Sequence, residues 1–152
     1  KPGENNMLKD NATLEAKYKH FIKTVCETEI IYALKEPRGF AFLYSNQFED
    51  EDGEDALLLC FWSKEAYANA CKQAEWSKHE IVEISLDLFL KNWCIGMKKD
   101  YNYAGIECDR NLFCSEKDPI HLAIDMLEEL VEQDKLGNFA PYYTIYNEYL
   151  EN

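Results

Sequence analysis

Apolar positions along the chain fall into two kinds of pattern, helical stripes and short β-branched or aromatic runs, and Pro, Gly and acidic clusters separate them. From Thr13, the apolar residues Leu14, Tyr18, Phe21, Ile22, Val25 and Cys26 form a helical stripe with lysines on the opposite face. Residues 1–12 before it are polar and are expected to form a tail. "EIIYALKEPRGFAFLYS" reads as a hairpin about Glu36-Pro37-Arg38-Gly39, where Pro presets a turn φ and Gly closes the turn. Ala56 to Trp62 is apolar without interruption, which predicts a central strand buried on both faces. Ser63 is the expected N-cap of a second helix, with Ala66, Tyr67, Ala70, Cys71 and Ala74 on one face.

"HEIVEISL" returns to strand character, and Ser85 is placed to cap a third helix carrying Leu86, Phe89, Leu90, Trp93, Cys94 and Met97 on one side. Lys98 and Lys99 suit its C-terminal end. Tyr103–Cys108 and Asn111–Ser115 are expected to pair as a hairpin around Asp109-Arg110. Asp118-Pro119 opens a fourth helix with Ile120, Ala123, Ile124, Leu127 and Val131 inward, ending at Gly137. Beyond Pro141, Tyr142, Tyr146 and Tyr149 recur at helical spacing and predict a short final helix. This order predicts a single α+β domain with a mixed or antiparallel sheet of about five to six strands and helices packed on it. Its core spans 13–136, and 137–152 is a tyrosine-rich helical extension.

Composition supports a folded chain: 47% of the 152 residues are apolar and 14% aromatic, enough side-chain surface to offset the entropy of ordering. The longest apolar run, "ALLLCFW", falls far short of the roughly eighteen residues of a membrane span, so no membrane association is expected. The net charge of −13 repels nucleic acid phosphates and favours a basic protein as partner. Lys17, Lys19 and Lys23 are the nearest thing to a nucleic-acid face, but they read as the polar side of an ordinary amphipathic helix. The six cysteines form no CxxC pair and sit in apolar settings, as free thiols do in a reducing cytoplasm, while their even number leaves disulfides open for an exported chain.

Candidate chemistry thins out on inspection. The acidic run "EDEDGED" fails the calcium-loop template: with Gly53 in the sixth place, Phe48 and Leu59 fall where the two obligatory carboxylates belong. It reads instead as a polar loop that delivers the chain into a buried strand, and no metal site is expected. His20, His79 and His121 are scattered, no nucleophile elbow exists, and the isolated glycines make no phosphate cradle, so neither catalytic residues nor a cofactor are expected.

Between Ala56 and Tyr103 the chain shows a strand ending in Phe61 and Trp62, a helix with Tyr67 and Ala68, then Trp76. A strand then leads to a helix with Leu86, Asp87, Phe89, Leu90 and Trp93. This pattern resembles the bacterial domain-of-unknown-function family numbered 2750, and the resemblance extends less sharply from Tyr18 to about Val131. The acidic loop and the tyrosine-rich C-terminus look additional to the family pattern. The resemblance implies a small bacterial α+β domain of undetermined activity, with no catalytic or binding residue to carry over.

Two functional expectations follow. The first is a non-enzymatic, acidic protein-binding module, in one version an immunity or antitoxin-like protein, whose Glu49, Asp50, Glu51, Asp52, Glu54 and Asp55 meet a basic partner. Tyr142, Tyr146 and Tyr149 would add a contact face or allow self-association. The second is a small-ligand binder or enzyme with an aromatic pocket among Trp62, Tyr67, Trp76 and Trp93.

Overall fold

The computed structural model describes residues 2–151, with side chains from Asn11 to Glu151. The chain is α+β, as the element order predicts, and its strands divide between two sheets. The helix α1 runs Pro2–Thr28, so the polar segment expected as a tail continues the first helix; Lys1 and the side chains before Asn11 lie outside the described residues. After it come β1 (Ile30–Glu36), β2 (Gly39–Phe40), β3 (Phe42–Glu49) and β4 (Asp55–Phe61). The predicted hairpin forms about Pro37-Arg38, but its second arm is cut at Ala41. Ala41 donates its N–H to the Leu34 carbonyl and accepts from the Cys60 N–H, and there the chain passes from one sheet to the other.

Beyond β4 the chain forms α2 (Glu65–Ala70), β5 (Glu80–Ser85), α3 (Leu86–Leu88), a π-helical turn (Phe89–Trp93), α4 (Cys94–Lys99) and β6 (Tyr103–Ile106). It ends with β7 (Ser115–Lys117), α5 (Pro119–Glu132) and α6 (Ala140–Glu151). One sheet has the order β2-β1-β5 and the other β3-β4-β6-β7. All pairs are antiparallel except β4 with β6. A parallel pair needs a crossover, which α2, β5, α3 and α4 supply. Reciprocal backbone bonds of 2.9 Å between Tyr32 and Trp62 tie the two sheets together.

Several local expectations are corrected. Ser63 does not cap α2; Lys64 holds the N-cap position without a side-chain bond, because Ser63 is buried and committed elsewhere. Asn111–Ser115 is mostly loop: the strand facing β6 is β7, which pairs Ile106 with Ser115. Helix α5 stops at Glu132 instead of Gly137, and Val131 on its last turn is half-exposed. Ser85 and Asp118 do cap as their types predict, accepting from the N–H of Leu88 and from those of Ile120 and His121.

The main core lies between α1, α5, α6 and the π-turn segment, with Phe21, Val25, Phe61, Phe89, Leu90, Leu127 and Tyr146 inside. A second, smaller cluster gathers Leu34, Ala41, Cys60, Trp62, Ala68, Cys71, Trp76 and Cys108. All six cysteines are free; only Cys114 is not fully buried. No helix among the described residues is long and apolar enough to cross a membrane.

Candidate functional site

The parallel register of β4 with β6 aligns Phe61 with Ile106, so both strands end on the same side of the sheet. Clefts at the carboxyl ends of parallel strands are where open α/β sheets place ligands. Just past those ends, the Glu107 N–H donates to the Phe61 carbonyl at 3.0 Å, and Ser63 comes alongside. Ser63 gives both its donors to the Glu107 carboxylate, the N–H to Oε1 at 2.7 Å and the hydroxyl to Oε2 at 2.6 Å. Glu107 is 6% exposed. Its φ of 53° lies in the left-handed region, which costs a β-carbon-bearing residue about 1 kcal/mol or more. Burial pushes its pKa above the ordinary value, opposed by the Ser63 donors and then by the charges of His20 and Lys17.

This carboxylate forms part of the wall of a cavity of about 580 Å³. Thr13, Ala16, Lys17 and His20 reach it from one face of α1, at the i, i+3, i+4, i+7 spacing. Tyr67 and Ala70 come from α2, and Glu107 to Arg110 from the loop after β6. That loop is tied by its own hydrogen bonds: Asp109 accepts from the N–H groups of Asn111 and Phe113, and its own N–H donates to the Phe113 carbonyl. The Gln73 side chain holds the Arg110 carbonyl at 2.9 Å. Lys17 and Asp109 face each other at 3.8 Å.

Cys71, on the cavity floor, donates its thiol to the carbonyls of Cys108 and Asp109 at 3.2 and 3.4 Å. Burial raises its pKa. A thiol held protonated as a donor is not a nucleophile, and this one is structural. Among the described residues, no group of three or more His, Cys, Asp or Glu side chains is placed to hold a metal ion.

The expected aromatic pocket is not assembled as one site. Trp62 is fully buried, its indole N–H donating to the Cys108 carbonyl at 2.9 Å, and Trp76 packs edge-on against it at 6.1 Å. They form the layer beneath the cavity without lining it. Tyr67 does line it, 6.4 Å from the His20 ring. Trp93 packs in the other cluster against Phe40, Phe61 and Phe89. The reason is the crossover, which carries Trp93 around to the main core.

The tyrosine face is corrected in one residue. Tyr146 is fully buried and its hydroxyl donates to the Leu90 carbonyl within the π-helical turn. Tyr142 and Tyr149 are half-buried against the same core, and the Tyr142 hydroxyl donates to Asp87 at 2.8 Å. The acidic loop forms the turn between β3 and β4, with Gly53 at φ 79°. Asp50 accepts from the N–H groups of Asp52 and Glu54, and Glu49, Glu51, Asp52, Glu54 and Asp55 are all exposed.

Ser63, Lys17, His20, Glu107 and Arg110 were not among the expected site residues. One signal was available: Glu107 interrupts the apolar run "YAGIEC", and a lone charge in such a run marks a buried, satisfied carboxylate.

Comparison with known families is decisive for kinship. The family described as "Protein of unknown function (DUF2750)" matches residues 18–126. The chain belongs to the DUF2750 family. The matched span contains Ser63 and Glu107, and the cavity residues His20, Tyr67, Ala70, Cys71 and Arg110; Thr13, Ala16 and Lys17 precede it. No curated protein matches the chain, and no solved structure does.

Proposed function

We propose that this DUF2750 protein is a small-molecule-binding module whose site is the cavity between α1, α2 and the Glu107–Arg110 loop. One observation carries the reading: a buried carboxylate on a strained backbone is presented at the wall of a largely apolar cavity. Binding sites combine apolar walls with a few convergent polar groups, and backbone strain concentrates where such groups must be held. A fragment screen by NMR on the wild type and on Ala16→Trp tests it. Ala16 is exposed on α1, so a tryptophan there fills the cavity without entering the core. Fragments are expected to shift the amides of Ala70, Cys71 and Glu107 to Arg110 in the wild type and to lose that effect in the variant. Hits that persist unchanged in the variant, or a screen without shifts at these residues, would sink the reading. The free, buried thiols support placing the module in a reducing cytoplasm.

A second reading rests on the β3–β4 turn. Five of its six carboxylates are exposed, Asp50 being held within the turn, and among the described residues none of these five pairs with a lysine or arginine. That leaves them free for a basic protein partner, as an immunity-type module would need. Pull-down from the native host with the wild type and with all six carboxylates neutralised decides it: capture of the same basic protein by both refutes the loop's role.

A further inference from the structure

Glu107 is the deepest charge at the cavity, and among the described residues no cation touches it. Its carboxylate has room for about four hydrogen bonds, and Ser63 supplies two. Lys17 is turned toward Asp109, at 3.8 Å. Arg110 is an exposed residue at the rim, so it leaves the buried end to Glu107. A carboxylate taken out of water with no cation in contact, and only the more distant charges of His20 and Lys17 in its favour, carries a desolvation penalty that two hydrogen bonds only partly offset. A ligand that brings its own cation removes that penalty on binding, and a neutral or anionic one does not. Ala16, Ala70 and Cys71, with the Tyr67 ring, give the wall an apolar stretch, which suits a hydrocarbon or aromatic body. The net charge of −13 draws small cations toward the protein from solution.

We propose that the ligand is a small organic cation, a primary amine or amidinium on an apolar body, with its nitrogen held by the Glu107 carboxylate. The inference rests on the cavity being a ligand site and adds the charge of what enters it. Arg110 lines the exposed rim, so a ligand's cationic end is directed inward, to Glu107.

The test uses three probes of matched shape on the full chain: benzylamine, benzyl alcohol and benzoate, followed by the amide shifts of Ser63, Cys71, Glu107 and Cys108 at neutral pH. Benzylamine is expected to bind at least about tenfold more tightly than benzyl alcohol, as pairing a desolvated charge requires. Glu107→Gln is expected to remove most of that preference. If Glu107→Gln does not fold, the ranking of the three probes on the wild type decides alone. Benzyl alcohol or benzoate binding there as tightly as benzylamine overturns the cation and leaves the cavity standing as a site. Binding of none of the three also overturns the cation, whereas the cavity itself stands or falls with the Ala16→Trp screen.

Discussion

Ser63 and Glu107 lie 44 positions apart in the chain and are joined twice, through the Ser63 N–H at 2.7 Å and its hydroxyl at 2.6 Å. The pairing follows from the parallel register of β4 with β6, which sets Phe61 beside Ile106 and brings the next residues of each strand together. It explains why Ser63, a good N-cap by type, does not cap α2: its hydroxyl satisfies a buried carboxylate, where a missing donor costs more than a missing cap.

Ser63→Ala is therefore expected to destabilise the protein by about 1.5–3 kcal/mol, the range for a hydrogen bond to a charged group, more than loss of a typical surface cap. Urea unfolding at neutral pH measures it. A loss within about 0.5 kcal/mol, the range of an ordinary surface substitution, would mean that Glu107 finds another donor.

The same pair sets a pH dependence. Glu107 has a raised pKa in the folded state, relative to an ordinary value of 4.5, with burial as the largest cause. Between the unfolded and folded pKa the native state binds more protons than the unfolded state, so the unfolding free energy falls as pH rises. The group's contribution is fully present below the unfolded value and is lost as pH rises through the folded one. Subtracting the unfolding free energy of Glu107→Gln from that of the wild type, pH by pH, isolates it. The difference should decline from about pH 4.5 upward and then level off; a difference that grows with pH would reverse the assignment.

Legibility in the sequence followed locality. The stripe from Leu14 to Cys26, the Ser85 and Asp118 caps and the buried strand before Trp62 depend on neighbours within a turn or two, and their residue types announce them. The break at Ala41 was not visible, because it depends on which strand each half of the arm finds, Leu34 on one side and Cys60 on the other. The cavity was hidden for the same reason. Its α1 face is spaced helically, yet only the long-range pairing of β4 with β6 turns Glu107 toward it. Of the four aromatic residues expected in one pocket, Trp62 and Trp76 pack beneath the cavity, since large rings gain most by burial, while Tyr67 lines it and Trp93 joins the main core.

Tyr146 carries a second test. Its ring is fully buried and its hydroxyl donates to the Leu90 carbonyl in the π-helical turn. Tyr146→Phe keeps the ring and removes the donor, leaving a buried carbonyl short of a partner at a cost of about 1–3 kcal/mol. Tyr142→Phe removes an exposed bond to Asp87 and should cost no more than about 0.5 kcal/mol. Equal losses by urea unfolding would show that the Leu90 bond adds nothing.

Two glycines should respond to alanine with opposite signs. A β-carbon at Gly105 would sit 3.3 Å from the Cys114 sulfur, 3.5 Å from that of Cys60 and 3.6 Å from the Leu58 Cβ. That position lies in β6, which pairs on both sides, so the strand cannot shift away without straining two ladders. Overpacking there should cost about 1–3 kcal/mol. Gly96 lies within α4 with nothing within 4 Å of the added carbon. Alanine there should stabilise by about 0.5–1 kcal/mol, because it lowers the backbone entropy of the unfolded chain and suits a helix interior. Thermal unfolding of the two variants against the wild type gives the signs directly. A stabilising Gly105→Ala would mean that the Cys114 sulfur, which is not fully buried, swings clear of the added methyl at no cost.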